Sequence, residues 1–247
     1  MIVLGIDTST PSSAVALLLA DGSTVQARDD PPAGAHPGHA TRLLVMAADV
    51  LARAGIGWSA IDRVAVGVGP GTFTGLRIGI ATARGLAQSL SAELVGVSST
   101  QALAAQALAA EPAREAVLVV IDARRGEAFA AAYRAGDHGV PQELAAPRAL
   151  PPEELAGVLA EAEQAAGAAP RDWLAVGDGA GRFRAQLDAD AVEVAPDASP
   201  LHLLSAVAIC ELGARMAGTP IQEILPDYRR RPDAELALEA AGTGKGL

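Results

Sequence analysis

Two stretches of this chain begin in the same way, and that repetition limits the folds open to it. Residues 2–6, Ile-Val-Leu-Gly-Ile, form an apolar run closed by Asp7, the polar turn TSTPSS and a returning apolar run at 14–20. Residues 117–121, Val-Leu-Val-Val-Ile, form another, closed by Asp122, the polar turn ARRGE and a returning run at 128–133. Short apolar runs bounded by turn residues read as strands, and such short turns make each pair antiparallel. Helices and strands alternate after each pair. The pattern predicts two related α/β lobes, residues 1–112 and 113–247.

In the first half, Asp21-Gly22 supplies a tight turn into a third strand near 24–28, and DDPPAGAHPG at 29–38 reads as a loop. A helix is predicted over 39–54, stopped by Gly55, then a strand at 64–68, a helix over 75–90 and a short strand at 95–97. Thr100 is the candidate cap of an alanine-rich helix at 101–110. The second half continues with helix 152–165, strand 173–176, the turn GDGAG at 177–181, strand 192–195 and helix 200–217.

Composition excludes several classes. No uncharged apolar run approaches the ~18 residues that cross a bilayer, and no basic residue precedes the first apolar run, as a signal peptide would require. A single cysteine, Cys210, permits no internal disulfide and suits a reducing cytoplasm. Against 19 basic residues stand 29 acidic ones, a net charge of −10. Such a chain repels polyphosphate and is poorly suited to binding nucleic acid unaided.

The stretch GVGPGTFTGLRIGIATARGLA at 67–87 is dense in glycine, so its backbone comes close to something. A P-loop is excluded, because Leu76-Arg77 stands where lysine and a hydroxyl are needed. The dinucleotide fingerprint also fails, since Thr74 takes its last glycine position. An anion at the helix N-terminus stays open. Within the helix, Gly75, Gly79, Ala83 and Ala87 make one row of small side chains. Helix glycine costs about 1 kcal/mol relative to alanine, so two of them need a reason. Either this protein's own sheet or another subunit lies across the row.

Helix 39–54 is nearly all apolar outside Arg42, Asp49 and Arg53, which share one narrow stripe. An ordinary surface helix keeps a broad polar face. Both faces of this one are expected to meet protein, and helices 39–54 and 75–90 together read as half of an interface between chains.

These residues match a known pattern. GIDTSTPSSAVALL, HATRLL, the 67–87 block, GVSST, IDARRGEAFAAAY and PDYRRRP occur in order, and the chain resembles the TsaB (YeaZ) family over nearly its whole length. The resemblance implies an α/β fold of two duplicated actin-like (ASKHA, ribonuclease H-like) lobes. It implies a cytoplasmic, noncatalytic subunit of the machinery that makes threonylcarbamoyladenosine in tRNA. Its partners would be the catalytic paralogue TsaD, joined through the N-lobe helices, and the ATPase TsaE, with tRNA met only through the complex. The expected contact residues are His39, Leu43, Met46 and Val50 on the first helix. On the second they are Phe73, Gly75, Leu76, Gly79, Ile80 and Ala83. Pairing with a second copy in isolation stays open. No catalytic residue, cofactor or metal is expected in the chain.

Departures from catalytic patterns support that reading. His36-Pro-Gly-His39 is one residue short of the paralogue's metal-binding HxxxH and reads as a loop entering a helix. Asp7 and Asp122 sit at strand ends where actin-like ATPases hold metal–nucleotide, but glycine-rich phosphate turns do not follow them. No GxSxG nucleophile elbow is present. In PDYRRRP, Asp227 and Arg229 replace expected apolar residues, and Arg229–Arg231 reads as a solvated tail with RNA contact as the sharper alternative. The competing function is an independent actin-like ATPase or kinase, which fold alone favours.

Overall fold

The computed structural model describes residues 1–32, 35, 37–167, 172–190 and 192–230. In the first half, β1 (Val3–Asp7), β2 (Ser13–Leu18) and β3 (Thr24–Asp29) form an antiparallel meander. Then come α1 (His39–Ala54), β4 (Arg63–Gly69), α2 (Phe73–Leu90), β5 (Glu93–Ser98) and α3 (Ser99–Ala110). β4 joins β1 in parallel and β5 joins β4, so the sheet order is β3-β2-β1-β4-β5.

The second half repeats this. β6 (Ala116–Arg124), β7 (Glu127–Arg134) and β8 (Gln142–Leu150) form the meander, followed by α4 (Leu155–Ala166) and β9 (Trp173–Val176). Two short helices, α5 (Asp178–Arg182) and α6 (Arg184–Ala189), precede β10 (Glu193–Val194) and α7 (Ala206–Arg215). Read from the outer meander strand, the order β8-β7-β6-β9-β10 is the first sheet's order again. The chain therefore carries two duplicated α/β lobes.

Three apolar clusters stack the molecule into five layers. α1 and α2 cover the outer face of the first sheet. α4, α5 and α6 cover the outer face of the second. Between the sheets lie α3 and α7, packed in one shared cluster. The helices exchange lobes: α3, from the first half, packs on β6 and β7, and α7, from the second, packs on β1, β2 and β4. A boundary between residues 112 and 113 thus divides the sheets but not the helices.

Three local expectations need correction. Ser98, not Thr100, caps α3: its Oγ accepts from the Gln101 N–H at 3.4 Å, while the Thr100 hydroxyl turns 2.9 Å from the Tyr133 hydroxyl. The helix expected over 200–217 is two pieces. A 3-10 turn at Pro200–His202 ends in extended backbone at Leu203, and α7 restarts behind the Ser205 cap. β8 escaped the sequence reading because it is alanine-rich and contains Pro147. It is an edge strand, where proline is tolerated, and its register slips between Ala132–Ala145 and Ala130–Arg148.

Candidate partner interface

The glycine-rich turn packs against its own chain. β4 runs through it into α2, and the turn after β1 lies directly beneath. A Cβ at Gly75 would sit 2.0 Å from the Thr8 carbonyl oxygen, one at Gly79 2.3 Å from Thr8 Oγ1, and one at Gly71 2.3 Å from the Ser9 carbonyl oxygen. Thr8 Oγ1 also donates to the Gly75 carbonyl at 2.7 Å. Gly75 and Gly79 let the β1–β2 turn approach α2, while Ala83 and Ala87 of the same row join the core beneath it.

That placement moves the expected contact residues inward. Gly75, Leu76, Gly79, Ile80 and Ala83 are buried on α2, and His39, Leu43, Met46 and Val50 on α1. Most of these side chains join the core beneath the two helices. Burying a Leu or Val side chain of this kind stabilises by about 1.5–3 kcal/mol, which exposure to a partner would forfeit. Phe73 alone is half-buried, stacked on Tyr228 with ring centroids 4.8 Å apart. None of the buried nine is available to another chain while the lobe is folded.

The outer faces of the same helices are available. On α1, Leu44 is 51% and Val45 63% exposed, beside exposed Thr41, Ala48 and Ala52. On the neighbouring α2, Thr74, Ala81 and Gly85 are exposed and Ile78 is half-buried. Among the described residues nothing lies within 4 Å of the Gly85 Cβ position, so no contact there accounts for its helix cost of about 1 kcal/mol. The charged groups of α1 lie at its margin, where Arg42 pairs with Asp29 at 3.3 Å and Arg53 with Asp49 at 3.2 Å, while α2 also exposes Arg77 and Gln88. The result is a two-helix surface, apolar and low in relief. The sequence held the signal: once 43, 46, 47 and 50 take the inward stripe, helical periodicity leaves Leu44 and Val45 outside.

The carboxylates at the strand ends are differently placed. Asp7 is 1% exposed; its Oδ1 accepts from Ser9 N–H (2.9 Å) and Ser9 Oγ (2.8 Å), and Oδ2 from Ser99 Oγ (3.4 Å). Burial pushes its pKa up to about 6, against which the serine hydrogen bonds pull only partly. A Cβ at Gly67 would fall 1.8 Å from Asp7 Oδ2, so the carboxylate is packed under backbone rather than facing a cleft. Asp122 Oδ2 is held by Arg182 at 2.7 Å and Arg124 at 3.3 Å. The sequence reading passed over Asp178, in the GDGAG turn that begins α5. Its Oδ1 accepts from the Asp122 N–H at 2.9 Å, and desolvation pushes its pKa up to about 6.

His39 lies 2.8 Å through Nδ1 from Ser13 Oγ, and burial lowers its pKa. His36 lies outside the described residues. Among the described residues no three His, Cys, Asp or Glu side chains gather as a metal site. Arg229 pairs with Asp227 at 2.7 Å. Arg230 reaches the Ala123 carbonyl at 2.9 Å and Glu127 at 2.7 Å, and Arg231 lies outside the described residues.

Comparison with known proteins places the chain by sequence and fold. The family model described as TsaD, tRNA N6-adenosine threonylcarbamoyltransferase, matches residues 30–237. The Escherichia coli tRNA threonylcarbamoyladenosine biosynthesis protein TsaB is 35% identical over 179 residues, 72% of each chain. Its Haemophilus influenzae counterpart is 36% identical over 127 residues, 51% of each. The structure of YeaZ from Pseudomonas aeruginosa superposes with a TM-score of 0.72 at 32% identity, covering 92% of this chain and 100% of that one. Matched along most of its length in both sequence and structure, the chain belongs to the TsaB (YeaZ) family.

Proposed function

We propose that this chain is a noncatalytic scaffold subunit in the synthesis of threonylcarbamoyladenosine in tRNA. It binds and supports a TsaD-like catalytic paralogue through the outer faces of α1 and α2. The observation that carries this reading is the exposed surface of Leu44, Val45, Ala48, Ala52, Ala81 and Gly85, with its unexplained helix glycine. The match of the TsaD model to residues 30–237 supports a paralogue as the partner, because paralogues can pair through corresponding helices. In isolation the same surface is open to a second copy. A TsaE-like ATPase completes the assembly, and a cytoplasmic setting suits the single reduced cysteine, Cys210. With a net charge of −10, the chain meets tRNA through the complex rather than alone, and it uses no cofactor of its own.

Asp7 also favours this reading over an actin-like ATPase or kinase. A metal–nucleotide ligand must reach its carboxylate, and Asp7 is enclosed by Ser9, Ser99 and Gly67. The test is to purify the chain with the TsaD-like protein of the same genome and weigh the product. A stable heteromeric mass is expected, with no ATP turnover by the chain alone. No association, together with ATP turnover that Asp7→Asn abolishes, would reverse the assignment.

A further inference from the structure

The segment ending in PDYRR does not hang free. The Thr219 N–H donates to the Leu94 carbonyl of β5 at 2.9 Å, Ile224 is buried in the core beneath α1 and α2, and the Asp227 N–H donates to the Val68 carbonyl of β4 at 2.7 Å. Arg84 of α2 reaches the Ile224 carbonyl, and Arg77 Nε donates to the Tyr228 hydroxyl at 2.8 Å. The Arg77 guanidinium lies 3.7 Å over the Phe73 ring, which stacks on Tyr228. α1 lies over β2 and β3 and α2 over β4, so this segment is the third strip of the same layer, on the far side of α2 from α1.

Although so firmly held, it leaves Leu225 64% and Tyr228 40% exposed. Exposed apolar groups therefore flank α2 on both sides, Leu44 and Val45 on one and Leu225 and Tyr228 on the other, while α2 between them shows Ala81 and Gly85. Around Ala81 and Gly85 the middle is small and the sides are large, which makes a shallow trough along that part of α2. We propose that residues 224–228 are the third wall of the partner surface, and that an apolar helix of the partner subunit lies along α2 between them and α1. This rests on the partner reading above.

Area supports it. Helices of 16 and 18 residues, about 1.5 Å per residue and 10 Å wide, present about 500 Å² between them, short of the ~800 Å² per partner of a stable interface. Residues 224–228, five extended residues at about 3.3 Å each in a strip of similar width, add about 170 Å² and bring the surface to about 670 Å², closer to that size. Aromatic and arginine side chains held in place before contact, as Tyr228 and Arg77 are, are also the types that dominate interface energetics.

The experiment measures affinity for the TsaD-like protein of the same genome by titration calorimetry, with the melting temperature of each variant and the mass of the chain alone. Leu225→Asp is expected to weaken binding at least tenfold and leave melting unchanged, because Leu225 is exposed. Gly85→Leu, which fills the middle of the trough, should weaken binding comparably, and Leu203→Asp, exposed elsewhere, should not. Full affinity for Leu225→Asp with loss for Gly85→Leu overturns the third wall and leaves the partner reading standing. Full affinity for both overturns both. If Leu225→Asp instead splits a homodimer of the chain and spares the partner, the wall serves a second copy and the proposal is wrong.

Discussion

Asp7 shows how one buried group can leave a signature in bulk stability. Its pKa is raised from 3.8 to about 6 by burial. The folded chain thus keeps a proton there that the unfolded chain releases between about pH 4 and pH 6. Stability linked to that proton is complete below about pH 4 and lost as pH rises through about 6, a difference of up to about 3 kcal/mol. Asp7→Asn keeps an acceptor for Ser9 and removes the ionisation. It is expected to raise Tm at pH 7.5 by several degrees and to flatten the pH 4–6 slope, in calorimetric scans across that range. A lower Tm at pH 7.5 would show that the carboxylate is stabilised by its hydrogen bonds more than burial penalises it. Gly79 carries the opposite lesson. Gly79→Leu would improve helix propensity by nearly 1 kcal/mol. Its Cβ meets Thr8 Oγ1 at 2.3 Å, however, and overpacking costs about 1–3 kcal/mol. The chain alone should melt several degrees lower; an unchanged Tm would mean that the β1–β2 turn yields. The spacing of Gly75 and Gly79 made a close approach legible. The identity of the approaching group was not, because Thr8 comes from a turn nearly seventy residues away.

At the scale of elements, α1 and α2 are the pieces whose existence was plain and whose orientation was not. The strongly periodic run at 39–54, closed by Gly55, and the glycine-rich entry to α2 mark both helices. Which apolar residues face inward depends on where the sheet lies, so the two faces of α1 were interchangeable on paper. β8 was illegible for a different reason. Alanine carries little strand preference and Pro147 argues against a strand, yet pairing with β7 along an edge outweighs both. Gly85 provides the test at this scale. Gly85→Leu places its Cβ in open space among the described residues and gains helix propensity, so the isolated chain should melt at the same temperature or slightly higher. Against a helix seated on α2 the added carbons collide, and affinity should fall at least tenfold, about 1.4 kcal/mol. Unchanged affinity would place the partner elsewhere.

The whole molecule was legible as a duplication because strand, aspartate and returning strand recur, and both sheets do share one strand order. The exchange of α3 and α7 between lobes was not, since both helices are apolar on most sides and nothing in their sequences names the sheet they cover. That exchange, with the pinned segment at 219–230, ties both halves into one layered body that presents the α1–α2 surface as a fixed unit. The chain's role should then lie in that surface rather than in its strand-end carboxylates. The most direct measurement is threonylcarbamoyl transfer to tRNA by the reconstituted TsaD-like and TsaE-like proteins, supplied with wild-type chain, Asp7→Asn or Gly85→Leu. Full activity with Asp7→Asn and at least a tenfold loss with Gly85→Leu, recovered in part by raising the chain's concentration, is the predicted result. Activity abolished by Asp7→Asn at unchanged partner affinity, and untouched by Gly85→Leu, would contradict it.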